Sequence, residues 1–352
     1  MRALRTESVI AAAFLTVLSG CASGGAAPTG PLAAQPNRTL IHRGASACPC
    51  IYVTNDGLGG QPPDAVLVFA DKARGRNATP IQDISGTNTH LNHPDKIAVD
   101  ATGKMYVLNL FMDHVLIYAA DSTGNVSPVA DISGPKTNLR SPSGIAVSPL
   151  NGDIYVANES NNKPHTPEYR GYVLIFPPNA SGNTPPKGTI VGGKTNLNDP
   201  IGLAFDGTGN LYVASQGHRR GISVFAAGSD GNVAPTATIE GTATQLAQTQ
   251  QAVPDASLKI HALSFGAGED GDAVVLTFAA GANGDVAPTQ AITEAHALGV
   301  ALNAAGDSYV ARYNRTSEDI AVFPPGANGH PKPSYTIQCS SCLDNIGGIA
   351  IR

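Results

Sequence analysis

Charged residues are scarce in this chain: Asp, Glu, Lys and Arg make up only 14% of its 352 residues. No segment has a helical hydrophobic period of useful length, which argues against an all-α fold. The formal net charge is −5 and no stripe of basic residues is present, so nucleic acid is not an expected partner. The G-x-S-x-G elbow, the H-E-x-x-H helix and the phosphate-binding Gly loop are also absent, which removes the motif-based cases for catalysis.

Long apolar runs are lacking as well, and the run at the N-terminus, Val9–Leu18, has ten residues. That length suits a signal-peptide core and is too short to cross a bilayer as a stable helix. Arg2 and Arg5 precede the run, and Leu18-Ser-Gly-Cys21 ends it. This ending resembles the bacterial lipobox. The resemblance implies that residues 1–20 are a lipoprotein signal peptide, that Cys21 carries lipid, and that the protein lies outside the cytoplasm in the cell envelope. The alternative is an ordinary secretory leader with a chance cysteine.

Residues 21–39 are mostly Ala, Gly, Pro, Ser and Thr and contain almost nothing from which to build a core. This composition predicts a flexible tether, and a coil of about 18 residues reaches roughly 25 Å on average. Acyl chains on Cys21 would supply about 0.8 kcal/mol of anchoring energy per buried CH₂. The membrane is therefore the expected partner at this end of the chain.

The strongest signal in the remaining chain is a repeated short apolar segment that ends in an aromatic residue. It occurs at Val66–Phe69, Val115–Tyr118, Val173–Phe176, Ile222–Phe225, Val275–Phe278 and Ile320–Phe323. Gly (39 residues) and Pro (26 residues) punctuate the chain between these segments. A spacing of roughly 45 to 58 residues is typical of β-propeller blades. The pattern predicts an all-β fold over residues 40–352, a six-bladed β-propeller.

Each repeat contains four strand types, of which the aromatic-ended segment is the third. The first two are typified by Gly202–Phe205 and Leu211–Ala214, and the turn between them is Asp206-Gly-Thr-Gly209. The sequence GLAFDGTGNLYVAS, from Gly202 to Ser215, resembles the NHL-type propeller repeat. The chain contains no Trp, which argues against the WD-repeat class of propeller. The Asp/Asn-x-x-Gly turns lack the alternating carboxylates of a calcium loop, so turn chemistry is the preferred interpretation.

The two ends of the chain share one blade. After the tether, the first strand, Ile51–Thr54, is of the second type, whereas the last strand, Gly348–Ile351, is of the first type. We expect these strands to pair, which closes the ring and removes the exposed edges of an open sheet. One repeat departs from the pattern: after a polar stretch, Thr242–Leu258, the strand at Lys259–Leu263 replaces the usual motif. We expect this blade, up to Phe278, to be irregular or short of a strand.

Four cysteines remain besides Cys21, namely Cys48, Cys50, Cys339 and Cys342. An even number in an oxidising compartment favours disulfides, and a C-x-C plus C-x₂-C set leaves zinc as an alternative. A strand of five residues separates Cys50 from the other pair by about 17 Å, whereas bridged Cα atoms lie within about 7 Å. The topology therefore favours local pairing of Cys339 with Cys342. Pairing between the termini stays open if the leader segment folds back.

One face of the expected ring collects the longest and most varied loops. The longest loop, Asn158–Tyr172, supplies the residues that we predict to contact a protein or small-molecule ligand: Glu159, His165, Glu168, Tyr169 and Arg170. A solvated polar loop without a ligand is the alternative. The same face carries His90, His93 and His114, which form a weak candidate metal set because their extended connection need not bring them together. His261 is expected on an innermost strand, as a satisfied core histidine.

Six-bladed propellers similar to this one include metal-dependent lactonases of the gluconolactonase type. In those enzymes, acidic and amide side chains at the start of several innermost strands bind one metal. The equivalent positions here are predicted to be Asp95, Ser143, Ile201, Ile260, Leu298 and Gly347. Only Asp95 is a strong ligand for a hard cation, so we expect no metal or other cofactor.

The sequence thus predicts a lipid-anchored envelope protein whose propeller serves as a binding or interaction scaffold. The alternative is a metal-dependent hydrolase or lyase that acts in the central channel. The absence of a catalytic motif favours the scaffold over the enzyme.

Overall fold

The computed structural model describes residues 50–57, 63–110, 112–159, 171–267, 273–293, 296–314 and 317–352. The chain divides into two units, residues 1–42 and residues 43–352. The first unit lies wholly outside the described residues, as do the predicted signal peptide, Cys21, Cys48 and the tether. Within the described ranges, no helix is long and apolar enough to cross a membrane. The helical element that they contain is a 3₁₀ turn at Thr242–Thr244.

The second unit consists of six antiparallel sheets of four strands each, which are the blades. From the inner to the outer strand, blade 1 contains β24 (Ile346–Ile351), β1 (Cys50–Asn55), β2 (Ala65–Ala70) and β3 (Gln82–Ser85); blade 2 contains β4 (Pro94–Val99), β5 (Met105–Asn109), β6 (His114–Tyr118) and β7 (Ala130–Ile132); blade 3 contains β8 (Pro142–Val147), β9 (Ile154–Asn158), β10 (Tyr172–Phe176) and β11 (Gly188–Ile190). Blade 4 contains β12 (Pro200–Phe205), β13 (Leu211–Ser215), β14 (Gly221–Phe225) and β15 (Ala237–Ile239); blade 5 contains β16 (Gln248–Pro254), β17 (Ile260–Phe265), β18 (Val274–Phe278) and β19 (Gln290–Thr293); blade 6 contains β20 (Ala297–Leu302), β21 (Ser308–Asn314), β22 (Ser317–Phe323) and β23 (Tyr335–Gln338). The prediction of a six-bladed β-propeller is confirmed.

The ring closes in blade 1, where the last strand pairs with the first. Tyr52 lies opposite Ala350 and Val53 lies opposite Ile349 in the antiparallel register of β1 and β24. Cys50 and Arg352 continue the pairing through two backbone hydrogen bonds of 3.2 Å. The predicted closure by the two termini is therefore confirmed, and β1 has no open edge.

The repeated aromatic residue is the last residue of the third strand in five blades and the last but one in blade 1, and it is fully buried throughout. These residues are Phe69, Tyr118, Phe176, Phe225, Phe278 and Phe323. Each blade is apolar on both faces because each packs against two neighbours, which explains why the third strands read as continuous apolar runs rather than as alternating patterns. Fully burying one such side chain stabilises the fold by about 1.5–3 kcal/mol.

Neighbouring blades are joined on the outside by a repeated backbone hydrogen bond. In each connection between the third and fourth strands, a Gly N–H donates to a backbone carbonyl of the preceding blade. The acceptor is the second residue of that blade's outermost strand. The pairs are Gly124 with Asp83, Gly182 with Asp131, Gly231 with Thr189, Gly284 with Thr238, Gly329 with Ala291 and Gly75 with Thr336, at 2.5–2.9 Å. The last of these pairs crosses the junction between blade 6 and blade 1.

Blade 5 corrects the sequence analysis. It has four strands, and its innermost strand is β16, which lies within the stretch Thr242–Leu258 that was expected to be irregular. Ile260 and His261 belong to β17, the second strand, and not to an innermost strand. The strand escaped prediction because its sequence, QTQQAVP, is polar. Its glutamines form hydrogen bonds with neighbouring blades: Gln251 Oε1 accepts from the Val300 N–H at 2.7 Å, and Gln250 Nε2 donates to Gln216 Oε1 at 3.2 Å.

Candidate functional site

The propeller has two faces that differ in their connections. On the loop face, the segments that precede the inner strands lie beside those that join second to third strands. The described parts of the latter are 55–57, 63–65, 109–110, 112–114, 158–159, 171–172, 215–221, 265–267 and 273–274. On the turn face lie the first-to-second turns at 99–105, 147–154, 205–211, 254–260 and 302–308, and the third-to-fourth connections at 70–82, 118–130, 176–188, 225–237, 278–290 and 323–335. The loop face is where the sequence predicts ligand contact.

Every inner strand has an irregular register near its start, which turns one or two residues out of the ladder. The residues at these bulges are Asp95 with Lys96, Ser143, Ile201, Gln250, Leu298 and Gly347. Gln250 therefore holds the position that the sequence analysis gave to Ile260. The set contains one carboxylate, one hydroxyl and one amide, and two of its members are large and apolar.

Several polar groups around this ring join an inner strand to a strand of a neighbouring blade. Ser143 Oγ donates to the Pro200 carbonyl at 2.7 Å, and Thr54 Oγ1 donates to the Asp95 carbonyl at 2.7 Å. The Lys96 ammonium lies 2.8 Å from Asp95 Oδ1 and 3.3 Å from the Gly347 carbonyl. These bonds pair the backbone edges at the channel mouth. Ser143 and Thr54 are buried, so their hydrogen bonds stabilise the fold. Asp95 and Lys96 are partly exposed.

A central cavity of about 340 Å³ runs between the inner strands. Its surface is about half polar and half apolar, and the apolar side chains that line it include Val99, Ile145, Leu203, Val253, Val300 and Ile349. Lys96 and Ile201 line its loop-face end. The cavity therefore combines apolar side chains with polar groups and a charged side chain at its loop-face end, a combination found in ligand pockets.

Glu159 lies at this mouth, immediately after β9, and is partly buried. Burial raises the pKa of Glu159, and the carboxylates of Asp199 and Asp95 raise it further, while Lys96 opposes them. Three carboxylates and one ammonium therefore act on one another at the channel opening. His165, Glu168, Tyr169 and Arg170, the other predicted ligand residues, lie outside the described residues.

Two of the three histidines proposed as weak metal candidates, His93 and His114, have separate carboxylate partners. His93 Nδ1 lies 2.9 and 3.0 Å from the two carboxylate oxygens of Asp56, and His114 Nδ1 lies 3.1 Å from Asp131 Oδ2. The hydrogen bond to Asp56 raises the pKa of His93, against the opposite effect of burial. Across the described parts of the chain, no three His, Cys, Asp or Glu side chains are grouped so that they could hold a metal ion.

His261 is a buried core histidine on the second strand of blade 5. Its ring nitrogens lie 3.4 Å from Asp255 Oδ2 and 3.3 Å from Thr277 Oγ1. Burial lowers the pKa of His261, although Asp255 acts in the opposite direction. The ring therefore has polar partners on both sides, within the fold and away from the channel mouth.

The Asp turns between first and second strands use their carboxylates internally. Asp100 Oδ1 accepts from the backbone N–H groups of Thr102 and Lys104 at 2.8 and 3.0 Å, and Asp206 Oδ1 makes the same pair of bonds. Burial alone would raise the pKa of Asp100, but the hydrogen bonds from the Thr102 hydroxyl, these two N–H groups and the Tyr106 hydroxyl together outweigh it and lower the pKa. The carboxylates of Asp100 and Asp206 therefore act as acceptors within their own turns, as the sequence analysis preferred over a calcium loop.

Cys339 and Cys342 form a disulfide, with Cα atoms 5.3 Å apart. Cys50 is also disulfide-bonded, to a partner outside the described residues. The pair occupies a position at which other blades have Gly-x-x-Thr: after the outermost strand of blade 2, Thr137 donates from both its N–H and its Oγ1 to the Gly134 carbonyl. The Cys342 N–H makes the equivalent backbone bond to the Cys339 carbonyl at 3.1 Å. In blade 6 a covalent bond thus replaces the Thr side-chain bond.

Sequence reasoning missed Gln250, Gln251, Lys96 and Asp199 as residues of the channel region. For Lys96, the available signal was its place beside Asp95 in the predicted ring. For the glutamines, the polar stretch gave no alternation from which to read a strand. Asp199 precedes Pro200 and β12, as His93 precedes Pro94 and β4. This shared position before the strand could have identified it.

Comparisons with known proteins agree with the fold. A protein of unknown function from Bacteroides caccae has a TM-score of 0.57 and 8% identity, over 86% of this chain and 98% of that one. A functionally unknown protein from Desulfotomaculum acetoxidans DSM 771 has a TM-score of 0.53 and 14% identity, with the same coverage of each chain. Neither a protein-family model nor a curated protein matches the sequence. At these identities the likeness concerns architecture alone: this chain, like them, is built as a six-bladed β-propeller.

Proposed function

We propose that this protein is a lipid-anchored component of the bacterial cell envelope whose propeller is a binding scaffold, with its ligand site at the loop-face mouth of the central channel. The N-terminal pattern supports the anchoring part. An apolar run of signal-peptide length, small residues and Cys21 are followed by a composition that favours a tether. The location that follows is outside the cytoplasm.

One observation carries the ligand site: a cavity of 340 Å³ has Lys96 at its loop-face end, and Lys96, Asp95 and Asp199 all act on the Glu159 carboxyl. A concave apolar pocket with a few convergent polar groups, one with a shifted pKa, is the feature expected of a binding site. The ligand would place an apolar group against Ile201 and a polar group against Glu159.

The chemistry of the ring positions supports binding over metal-dependent hydrolysis. Hard cations take oxygen ligands, preferably several carboxylates. At the six bulges the described side chains offer one carboxylate at Asp95, and that carboxylate is paired with Lys96 at 2.8 Å. Ile201, Leu298 and Gly347 offer no side-chain oxygen at all. These residues do not fit the metal centre of the lactonase-type propellers.

Two measurements test the anchoring and enzyme questions. Metabolic labelling with a fatty acid should mark the wild-type protein and leave Cys21→Ala unlabelled; label on both chains would contradict anchoring at Cys21. Metal analysis and thermal melting, with and without a chelator, should show no stoichiometric metal and no chelator effect. Stoichiometric metal together with a large loss of stability would favour the hydrolase instead.

The ligand site is tested by photocrosslinking in envelope extracts. A photoreactive residue placed at Gln216 on the loop face should give discrete adducts. The same residue at Ser229 on the turn face is the matched control and should not give them. Glu159→Gln removes one charge at the mouth and should weaken the loop-face adducts. Adducts of equal yield from both faces, unaffected by this substitution, would rule out the proposed site.

A further inference from the structure

The turn face carries a cluster of basic side chains at the two successive junctions of blade 6 with blade 1 and of blade 1 with blade 2. We call this cluster the seam patch, and its members are Lys72, Arg74, Arg76, Lys104, Lys332 and Arg352. The first three and Lys332 are exposed, and the other two are partly exposed. The patch is not visible as a basic run because four separate parts of the chain contribute to it.

Contacts across the junction hold these parts together. The Arg74 guanidinium lies 3.7 Å over the ring of Tyr335, and the Gly75 N–H donates to the Thr336 carbonyl at 2.8 Å. The connection that carries Lys72, Arg74 and Arg76 therefore lies on blade 6, beside the segment of Lys332. The Arg352 guanidinium packs on Gly103, next to Lys104.

Acidic groups near the patch do not balance its charge. Asp71, Asp100, Asp121 and Asp307 lie on the adjoining connections, so six basic residues face four acidic ones. The carboxylate of Asp100 is occupied by the N–H groups of its own turn at 2.8 and 3.0 Å. The patch is thus locally basic in a chain whose net charge is −5.

The fold does not require these charges. The blade-to-blade bond made by Gly75 is made equally by Gly124 of blade 2, whose connection at 118–130 contains no basic residue. The equivalent connection of blade 1, 70–82, contains three. The two connections share their backbone geometry, so this geometry does not explain why the connection of blade 1 contains basic residues.

The seam patch surrounds the point at which the chain enters the propeller. Cys50, the first described residue, lies opposite Ala70, two residues before Lys72, and bonds to the backbone of Arg352 at 3.2 Å. Residues 22–49 link this point to Cys21. The chain therefore enters the propeller on the turn face, beside the basic cluster.

We infer that the seam patch docks onto anionic phospholipid headgroups of the membrane that holds the Cys21 lipid. This inference rests on the proposed lipid anchor. Arginine forks bind phosphate oxygens in pairs, and each Lys or Arg near an anionic surface strengthens attachment. A lipid chain plus a basic patch is the usual two-signal arrangement for stable membrane association. Docking would direct the turn face to the bilayer and the loop face, with its proposed ligand site, away from it.

The chain contains no Trp, so a single introduced Trp reports on one place. We would place Thr79→Trp beside the patch and, as the loop-face control, Met112→Trp. Energy transfer to dansyl-labelled headgroups is measured for the full-length protein in phosphatidylcholine vesicles, with and without about one third phosphatidylglycerol. For Thr79→Trp, transfer should at least double with phosphatidylglycerol and fall back at about 0.5 M salt. For Met112→Trp it should stay low.

Charge variants test the cause. Lys72→Gln with Arg76→Gln keeps the Arg74–Tyr335 stack and should abolish the increase. Lys136→Gln with Lys194→Gln removes two exposed loop-face charges and should preserve it, and thermal melting checks that both proteins are folded. Transfer that ignores lipid charge or the patch variant overturns the inference, as expected if the patch binds an acidic protein or nucleic acid. If the Cys21 anchor is wrong, the protein does not float with neutral vesicles, yet the phosphatidylglycerol effect persists.

Discussion

The Glu318 carboxylate accepts a hydrogen bond of 2.5 Å from the backbone N–H of Ile346, the first residue of the strand that closes the ring. Glu318 is 4% exposed, so blade 6 positions the closing strand with a buried acid. Burial raises the pKa of Glu318, although the N–H groups of Ile346 and Asn345 oppose the effect. The charged form is therefore less stable in the folded chain than in the unfolded one.

This shift predicts a pH dependence. Because the folded chain binds the Glu318 proton more tightly, the free energy of unfolding should fall as pH rises from the ordinary Glu value through the raised folded pKa. Glu318→Gln keeps an acceptor oxygen and should flatten this part of the profile, so that its stability at pH 7 equals or exceeds that of the wild type. Glu318→Ala leaves the Ile346 N–H unpaired and should lose about 1–3 kcal/mol. Urea titrations across the acidic range measure all three, and a Gln variant as unstable as the Ala variant would contradict the assignment.

The side chain of Gln251 should contribute more to the free energy of unfolding than the side chain of Gln250. Its Oε1 is the partner of the N–H of Val300, a residue that is 1% exposed. Gln251→Leu should therefore lose about 1–3 kcal/mol of unfolding free energy. Gln251→Glu, which retains an acceptor, should lose less. Gln250→Leu, which removes only a side-chain pair at 3.2 Å, serves as the control in denaturant titration.

The blade 6 disulfide should be replaceable by the turn chemistry of the other blades. Closing a four-residue loop contributes about 2 kcal/mol in the loop-entropy description. Cys339→Ser with Cys342→Ser should lose this contribution. Cys339→Gly with Cys342→Thr should recover part of it by restoring the Gly-x-x-Thr bonds seen at Gly134 and Thr137.

Melting temperatures under oxidising conditions compare these proteins while the Cys50 disulfide stays intact in all of them. Equal melting temperatures for the Ser and the Gly/Thr variants would show that the two turns are not equivalent.

Removal of Gly348–Arg352 should open the ring. The deletion takes away the partner of β1, exposing a buried strand edge that can pair with another chain. We expect lower melting temperature and aggregation on size-exclusion chromatography. Arg352→Gln keeps the two backbone bonds to Cys50 and is the control, which should remain monomeric. A truncated protein as monomeric and heat-resistant as the parent would rule out the closing role of β24.

The sequence was sufficient for the architecture because the aromatic of each third strand is a local signal with a fixed spacing. It was insufficient for blade 5 because β16 is specified by partners distant in sequence. The stabilising contact of Gln251 is on Val300, in another blade. A polar segment without alternation does not reveal that its amides pair with a neighbouring strand edge.

The mouth of the channel was only partly predictable for a similar reason. Asp95 could be placed from the register, whereas the effect of Asp199 on Glu159 depends on how blades 3 and 4 meet. The seam patch combines residues 72 and 352, which only ring closure brings to one place. Such juxtapositions are products of the tertiary structure and leave no periodic trace.

The hydrogen bond from each connecting Gly to the preceding blade is repeated at all six junctions, including Gly75 to Thr336. The junction that contains the two chain ends is therefore held by the same hydrogen bond as the other five junctions. New termini cut into the loop face of another blade, with the present ends joined by a linker, should leave a circular permutant with the same set of junctions. The same symmetry makes loss of any blade cost two junctions at once, so the domain should unfold as one cooperative unit, unlike an open repeat array that can fray from its ends.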